Sequence, residues 1–289
     1  MEPVKDALIV AAGLGTRMFP ASAMQPKESL PLLDVPLLTH LVGEAKAAGV
    51  ERLHVITSPS KSFDSLLEDK SPMHALRPSL DPALFHMTSG MEVRIHVQHE
   101  PKGVGDAIRC GLDDIEGPVL VLLGDNLIMD RHTPTTRFEA SGASKSLVEA
   151  FAITGEATVG LVEVPAADVQ RYGIVGMTGS QITSLVEKPS VDSAPSRLAL
   201  CGRYVFPRTL KTMLDRFSYE EHGDLQSIAV QNHWMEAGQL HGLVFEEARW
   251  YDSGAPMMWL QAQIDHALQR EDHREHLLTW LEQRLADHR

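Results

Sequence analysis

Residues 11–31 read AAGLGTRMFPASAMQPKESLP and directly follow the apolar run Ala7–Val10. The apolar run predicts a buried strand, and the glycines behind it predict a tight loop. Glycine allows the backbone to approach a ligand closely, and the amides of such a loop can hold phosphate oxygens. Arg17 and Lys27 add two cations, which can neutralise a polyphosphate from two sides.

The glycine spacing by itself is consistent with three kinds of loop. A dinucleotide-binding fingerprint requires a third glycine at position 18, where the chain has Met18. A phosphate-binding loop of the NTPase type requires four residues between its glycines and then Gly-Lys-Ser/Thr, which is absent. The third possibility is a tight strand-to-helix turn with a solvated arginine. The pair Thr16-Arg17 and the later Lys27 favour a phosphate site over this simple turn.

Strands alternate with helical stretches along the chain, which predicts an α/β fold. We expect a mixed, mostly parallel sheet with helices on both faces. Helices are predicted over residues 37–48 and 105–112, from apolar residues at helical spacing and from glycine breaks. The predicted strands are residues 7–11, 53–57, 93–97, 119–123 and 157–163.

Three other segments are less regular. Residues 58–92 contain four prolines and predict a helix plus a long excursion, as a flap or a subunit contact. Residues 129–146 predict a loop-and-helix connection. The tail, residues 257–289, is a run of helix formers with an interrupted apolar stripe. Packing of this stripe on its own domain is favoured over a subunit interface.

The composition excludes several classes of protein. Hydrophobic residues make up 43% of the 289, and no apolar run approaches the roughly 20 residues of a membrane helix. A net charge of −13 argues against a nucleic-acid binder, although a nucleotide enzyme needs only a local basic site. Cys110 and Cys201 make no disulfide framework and are expected to be buried. With no signal-peptide pattern, we expect a cytoplasmic protein without membrane partners.

Two acidic segments are candidate metal sites. Asp125 follows the apolar run 119–123, and ligands bind at the carboxyl ends of strands in open α/β sheets. A carboxylate there can hold Mg²⁺, although an Asp that caps the next turn gives the same pattern. Asp252 follows the strand-like run 243–245, where a simple turn before the last helices is an equal alternative.

Further motifs occur in a fixed order along the chain. Gln98 precedes PKGVGDA at residues 101–107, and YGIV at 172–175 precedes VEKP at 186–189 and GRYV at 202–205. With the glycine loop, these motifs resemble the sugar-nucleotide pyrophosphorylases, most closely their uridylyl-transferring branch. The resemblance extends to about residue 262. It implies a Rossmann-like nucleotidyltransferase fold in a single domain, residues 1–289, with a nucleotide-binding part (about 1–130), a sugar-binding part (about 131–256) and a C-terminal helical segment (about 257–289).

The resemblance implies where a nucleotide binds. Asp125 would hold Mg²⁺ against the triphosphate, and Asp252 would join the same metal. The Gln98 amide can match the N3–H and a carbonyl of uracil or thymine. The implied nucleotide-binding residues are Ala12, Gly13, Leu14, Gly15, Thr16, Gln98, Gly103, Gly105 and Asp125.

The resemblance also implies a sugar side built from Gly173, Glu187, Lys188 and Arg203. Glu187 would accept hydrogen bonds from sugar hydroxyls, and Lys188 would pair with the sugar phosphate. Gly173 would let the sugar lie close to the backbone. A Glu-Lys pair at a strand end is usually a solvated edge, and Arg203 either contacts phosphate or braces its loop.

The implied reaction makes UDP-glucose and pyrophosphate from UTP and glucose 1-phosphate, by in-line attack on the α-phosphorus. The sugar phosphate is already an anion, so the protein must mainly bring two anions together and neutralise charge. Arg17 would stabilise pyrophosphate, Lys27 would contact the triphosphate, and Lys188 would bring in the sugar phosphate. We expect a homo-oligomer, either a dimer or a tetramer.

Three departures from the family pattern leave alternatives open. Asp106 stands where the family commonly has His or Thr, Ala23 where a lysine is frequent, and Ser227–Ala229 where Leu-Thr-Asp is usual. One alternative is a pyrophosphorylase for another nucleotide or sugar, such as dTTP. Another is a weakly active paralogue that binds sugar nucleotide and regulates an active partner. The retained charged residues favour an active enzyme.

Overall fold

The five predicted strands all lie in one nine-stranded sheet of the computed structural model, which describes residues 2–288. Two small two-stranded sheets accompany it, and one of them is formed by β7 and β13. The strands are β1 Asp6–Val10, β2 Pro31–Leu32, β3 Val35–Pro36, β4 Arg52–Thr57, β5 Glu92–Val97, β6 Val119–Leu123, β7 Asn126–Met129, β8 Ala157–Glu163, β9 Gly173–Thr178, β10 Gln181–Glu187, β11 Leu198–Phe206, β12 Leu240–Val244 and β13 Arg249–Asp252.

The large sheet has the order β5-β4-β1-β6-β11-β8-β12-β10-β9. Parallel pairs join β1 to β4 and to β6, β4 to β5, and β8 to β12. Two strands, β10 and β11, run antiparallel to the other seven. The sheet is therefore mixed and mostly parallel, as predicted.

Helices cover both faces of the sheet because successive strand residues point to opposite sides. In β1, Leu8 belongs to a core with Ile108 of α4, whereas Ile9 belongs to a second core with Leu41 of α2. Helices α5 and α9 join α2 on its face, and α6 and α8 join α4. The helices are α1 Ala21–Met24, α2 Leu37–Ala47, α3 Ser71–Leu76, α4 Gly103–Gly111, α5 Ala143–Thr154, α6 Leu210–Arg216, α7 Tyr219–His222, α8 Gln226–Glu236, α9 Pro256–Gln269 and α10 Arg274–Asp287.

The helices predicted in the less regular segments are present, but the apolar stripe of the tail is not buried over its whole length as predicted. Residues 58–92 hold the short helix α3 between two single turns of 3₁₀ helix. The tail forms two helices: α9 buries Trp259 against the core, whereas α10 buries none of its described residues. Both cysteines are free thiols; Cys201 is buried as predicted, whereas the prediction is wrong for Cys110, which is partly exposed. None of the helices described between residues 2 and 288 combines the length and the apolar character needed to cross a bilayer.

Three histidines meet in the interior between α2, α9 and the segment before α5. His132 and His266 place their Nδ1 atoms 2.9 Å apart, and the ring of His40 lies edge-on to that of His266 at 6.2 Å. Burial lowers the pKa of His40 to about 4 and the pKa of His266 to about 3. The folded protein therefore holds both rings neutral at pH values where exposed histidines become protonated.

We expect this cluster to make the fold acid-sensitive. An unfolded His binds a proton near pH 6.5, while folded His40 stays neutral to about pH 4. Protonation between these values therefore favours the unfolded chain, so the free energy of unfolding is highest above pH 6.5 and falls as the pH falls towards 4. Each such group contributes a slope of about 1.4 kcal/mol per pH unit. The free energy of unfolding, measured with urea between pH 7 and 5, should depend less steeply on pH in His40→Leu than in the wild type. The exposed His276→Leu is the control, and equal slopes in His40→Leu and wild type would contradict the prediction.

Candidate active site

The glycine loop and Asp125 lie at the same edge of the sheet. Strands β1 and β6 are parallel neighbours in register, so Val10 and Leu123 end side by side. The amide of Gly124 donates a 2.8 Å hydrogen bond to the Val10 carbonyl. A Cβ atom on Gly124 would lie 2.6 Å from that oxygen, so only glycine allows this approach. Ala12 is buried below the loop, Gly15 is half-buried, and the exposed loop residues are Gly13, Leu14, Thr16 and Arg17.

Lys27 and Asp125 form the central ion pair of this edge. The Lys27 Nζ atom lies 2.5 Å from Asp125 Oδ2, and Lys27 is only 7% exposed. Its stem crosses Gly15, where a Cβ atom would lie 2.9 Å from Lys27 Cδ. Burial opposes the ionisation of Asp125, but the charges of Lys27 and Arg17 outweigh it and lower the pKa. Asp125 is therefore an ionised carboxylate at neutral pH.

Asp252 is brought to Asp125 by the β7–β13 ribbon. In this antiparallel pair Asn126 faces Asp252, and the Ser253 amide donates to the Asp125 carbonyl at 2.9 Å. Burial raises the pKa of Asp252 and the charge of Asp125 adds to the rise, while a 2.6 Å hydrogen bond from the Gly254 amide opposes it. Two neighbouring carboxylates of this kind suit a hard divalent cation such as Mg²⁺, which both stabilises their charge and accepts oxygen ligands.

Arg17 extends over the same carboxylates. A Cβ atom on Gly254 would lie 2.7 Å from Arg17 Nη2 and 2.7 Å from Asp252 Oδ1, so both groups flank that glycine. Within residues 2–288 the Arg17 guanidinium has no ion pair within 4.0 Å, and its side chain is exposed. It is thus a cation available to an anion that enters from solvent.

Lys61 is a residue of this site that the sequence analysis missed. Its ammonium donates to the carbonyls of Ala11 and Gly13, at 2.8 and 2.6 Å, and pairs with Glu28 Oε2 at 2.9 Å. Both members of this pair are buried, so Lys61 holds the glycine loop and neutralises Glu28 beside Lys27. Its position in the irregular segment 58–92 gave no sign of this contact, because nothing local relates it to a loop about 50 residues earlier.

The Asn126 side chain orients the Asp125 carboxylate. Its Nδ2 donates to Asp125 Oδ1 at 2.8 Å, and its Oδ1 accepts from Trp250 Nε1 at 2.7 Å. Since the two ends of the amide have different partners, the side chain has one preferred orientation. This contact leaves Asp125 held through one oxygen by Asn126 and through the other by Lys27.

Arg203 corrects one expectation. Its side chain is fully buried, it pairs with Glu44 through two 2.9 Å hydrogen bonds, and it donates to the Asn126 carbonyl at 2.9 Å. A guanidinium with no exposed surface cannot contact a sugar phosphate, so the prediction that Arg203 binds the sugar is wrong. Of the two roles left open, Arg203 braces the segment that carries Asp125.

Gln98 and the glycines of α4 form a second part of the same edge. Gln98 follows β5, is 7% exposed, and donates through Nε2 to the Gly103 carbonyl and to Asp106. Gly103 has a positive φ of 78°. Side chains at Gly103 and Gly105 would strike residues 224–226, at 3.0 Å from Asp224 Oδ1 and 2.5 Å from Gln226 Oε1. The turn therefore packs against the residues that directly precede Ser227–Ala229, the segment that departs from the family pattern.

The predicted sugar side lies next to Asp252. The ring centroids of Tyr172 and Trp250 lie 4.5 Å apart. Strand β9 pairs with β11 as well as with β10. Glu187 lies opposite Gly173 in register, and its Oε2 would be 3.0 Å from a Cβ there. Lys188 has a φ of 47°, which is uncommon for a residue other than glycine. Its Nζ lies 3.2 Å from Glu187 Oε1, and its side chain is 61% exposed.

Two other features lie elsewhere. A cavity of about 820 Å³ opens between the start of α2 and the segment 65–88, and none of the predicted site residues lines it. His54, His96 and Asp114 have ligand atoms within 4.8 Å of one another. The Arg94 guanidinium lies 3.2 Å from the same Asp114 oxygen that faces His96. This arginine therefore balances the charge of Asp114, as a metal ion would.

Comparisons with known proteins show which family has this fold. The nucleotidyl transferase family model matches residues 6–268. A UTP–glucose-1-phosphate uridylyltransferase from Bacillus subtilis (strain 168) is 30% identical over 299 aligned positions, which cover 98% of this chain and 97% of that relative.

Solved structures show the same fold. A UTP-bound UGPase from Acinetobacter baumannii superposes with a TM-score of 0.78 at 25% identity, over 96% of this chain and 98% of that one. A UDP-glucose pyrophosphorylase complexed with UDP-glucose gives 0.76 at 26% identity, over 91% and 98%. The chain belongs to the nucleotidyl transferase family and, within it, to the UTP–glucose-1-phosphate uridylyltransferases.

Proposed function

We propose that this enzyme makes UDP-glucose and pyrophosphate from UTP and glucose 1-phosphate, with Mg²⁺ held by Asp125 and Asp252. The observation that carries the proposal is the meeting of two carboxylates with the Lys27 ammonium and the Arg17 guanidinium at the end of β1 and β6. The named substrates and products of the relatives support the choice of UTP and glucose 1-phosphate.

The residues of this site provide charge and position rather than a nucleophile. The sugar phosphate is an anion and needs only to be brought in line with the α-phosphorus of UTP. Arg17 is free to donate to the departing pyrophosphate, and Lys27 lies beside the glycine loop that would hold the triphosphate. Lys188, exposed and held in place beside Glu187, would receive the sugar phosphate. Bound Mg²⁺ would supply further positive charge to the phosphate oxygens.

A substrate panel tests the proposal. Pyrophosphate release is measured with UTP, dTTP, CTP, ATP and GTP, each combined with glucose 1-phosphate and with other sugar 1-phosphates, in the presence of Mg²⁺. We expect the fastest release with UTP and glucose 1-phosphate. Preference for another pair would identify a different pyrophosphorylase. Binding of UTP without release of pyrophosphate would instead favour the regulatory paralogue.

Asp125→Asn tests the metal site within this reaction. The change removes a negative charge from the cation site and leaves the buried Lys27 without its partner. We expect turnover to fall by about 10²–10³, as for other losses of charge stabilisation, and the Mg²⁺ concentration for half-maximal rate to rise. Asp113→Asn is the control, because that carboxylate pairs with Arg109 and Lys211 before β6 begins. An unchanged rate and unchanged Mg²⁺ dependence would exclude Asp125 as a ligand.

We also infer that the enzyme is a cytoplasmic homo-oligomer. Helix α10 supports this inference, because it exposes three large apolar side chains, Leu278, Trp280 and Leu285. Leu278 and Leu285 lie two helical turns apart on one face of α10, and exposed apolar side chains that share a face are typical of contact surfaces. Light scattering after size-exclusion chromatography should give the mass of a dimer or tetramer, and the mass of a single chain would contradict the inference.

A further inference from the structure

Gln98 is held by its amide nitrogen alone. Its backbone is fixed by a 2.8 Å hydrogen bond from its own amide to the Thr57 carbonyl. Nε2 donates to Asp106 Oδ2 at 2.7 Å and to the Gly103 carbonyl at 3.1 Å. Among residues 2–288, no group donates to Gln98 Oε1.

The two partners determine which way the amide faces. A carboxylate and a backbone carbonyl can only accept, so both N–H groups of Gln98 are used, and rotation by 180° would place Oε1 against two acceptor oxygens. The carboxylate itself lies in the first turn of α4, where the free amide groups of a helix favour negative charge. The charge-assisted bond to Asp106 is the stronger of the two constraints.

We propose that Asp106 is a positioning residue, which fixes the Gln98 amide so that only its oxygen is available to the pyrimidine of the nucleotide. This inference rests on the proposed function and on the prediction from the family resemblance that Gln98 faces the base. Uracil and thymine carry an N3–H that can donate to this oxygen. Cytosine has an unprotonated N3, whose lone pair would face the oxygen instead. Asp106 would therefore favour UTP and dTTP over CTP.

Replacing Asp106 tests this role through a ratio of substrates. In Asp106→Ala the Gln98 amide can rotate and offer an N–H to cytosine N3. We expect the ratio of kcat/KM for UTP to kcat/KM for CTP to fall about tenfold, the equivalent of one hydrogen bond. The ratio of UTP to dTTP should stay constant, since both bases keep the N3–H. A structural disturbance of the site would lower all three rates together.

A double-mutant comparison shows whether Asp106 acts through Gln98. In a Gln98→Ala background, Asp106→Ala should leave the UTP to CTP ratio unchanged. Asp106→Asn, which keeps the shape of the side chain and permits both amide orientations, provides a second variant if Asp106→Ala does not fold. Asp113→Ala is the matched control, and its ratio should equal that of the wild type.

The binding ratio separates this inference from the proposed function. The dissociation constants of UTP and CTP are measured by calorimetry without a sugar phosphate. The preference for UTP over CTP, given by the ratio of these constants, should fall about tenfold in Asp106→Ala. Absence of pyrophosphate release in the wild type would overturn the proposed function, while the binding ratio would still decide the role of Asp106. A UTP to CTP ratio that is the same in wild type, Asp106→Ala and Asp106→Asn would overturn the inference.

Discussion

Arg17→Ala is expected to lower the turnover number for pyrophosphate release by about 10²–10³, without a measurable change in the free energy of unfolding. The side chain is exposed and has no ion pair among the described residues, so the folded protein loses little when it is removed. In the reaction, however, it supplies a positive charge beside the carboxylate site. Steady-state rates with saturating UTP and glucose 1-phosphate, together with urea unfolding, measure the two effects.

Two further variants make this result specific. Arg17→Lys keeps the charge but loses the planar fork that can hold two phosphate oxygens, so it should recover only part of the rate. Arg208→Ala removes an exposed arginine just beyond β11, at the end of that strand where Phe206 pairs with Val119 at the start of β6. It should leave turnover unchanged. A folded Arg17→Ala enzyme with full activity would exclude the proposed role of Arg17.

Arg203→Met is expected to have the largest effect on stability. It would leave Glu44 charged and buried without an ion-pair partner, and removing one member of a buried ion pair typically costs about 3–5 kcal/mol. The carbonyl of Asn126 would lose its hydrogen bond as well. Because Asn126 orients Asp125, we also expect a lower turnover number in the fraction of enzyme that remains folded.

The charge explanation has its own test. The double variant Glu44→Leu/Arg203→Met removes both charges and should regain most of the lost free energy of unfolding. Arg197→Met breaks an exposed pair with Glu163 and should cost less than about 1 kcal/mol. Similar losses in Arg197→Met and Arg203→Met, or a double variant weaker than Arg203→Met, would show that burial of charge is not the cause.

The strands and their layers follow from local sequence patterns. The run at residues 119–123 is apolar throughout and the run at 157–163 is mostly apolar, and their predicted bounds coincide with β6 and β8. Burial on both faces requires such runs, since every residue of the strand then points into a core. The glycine loop and Asp125 come together for the same reason, because parallel neighbours end at one edge of the sheet.

The acidic pair depends on contacts that no local pattern contains. Strands β7 and β13 have four residues each and lie far apart in the chain, so the sequence offers two equal interpretations of Asp252. Only the pairing of Asn126 with Asp252 brings the second carboxylate to Asp125. Single charged residues such as Lys61 and Glu44 resemble ordinary surface residues in the sequence, although both are buried beneath the site.

Periodicity and order of motifs were thus enough for the α/β sheet, for the family resemblance and for the identity of Arg17, Lys27 and Asp125 as candidates. Contacts in the folded chain decided the rest: the β7–β13 ribbon that adds Asp252, the buried Glu44–Arg203 pair that keeps Arg203 from any ligand, and the hydrogen bond from Gln98 to Asp106. Hydrophobic burial is governed by repeating positions and is therefore visible along the chain. A polar contact is decided by two or three atoms whose positions exist only after the chain has folded.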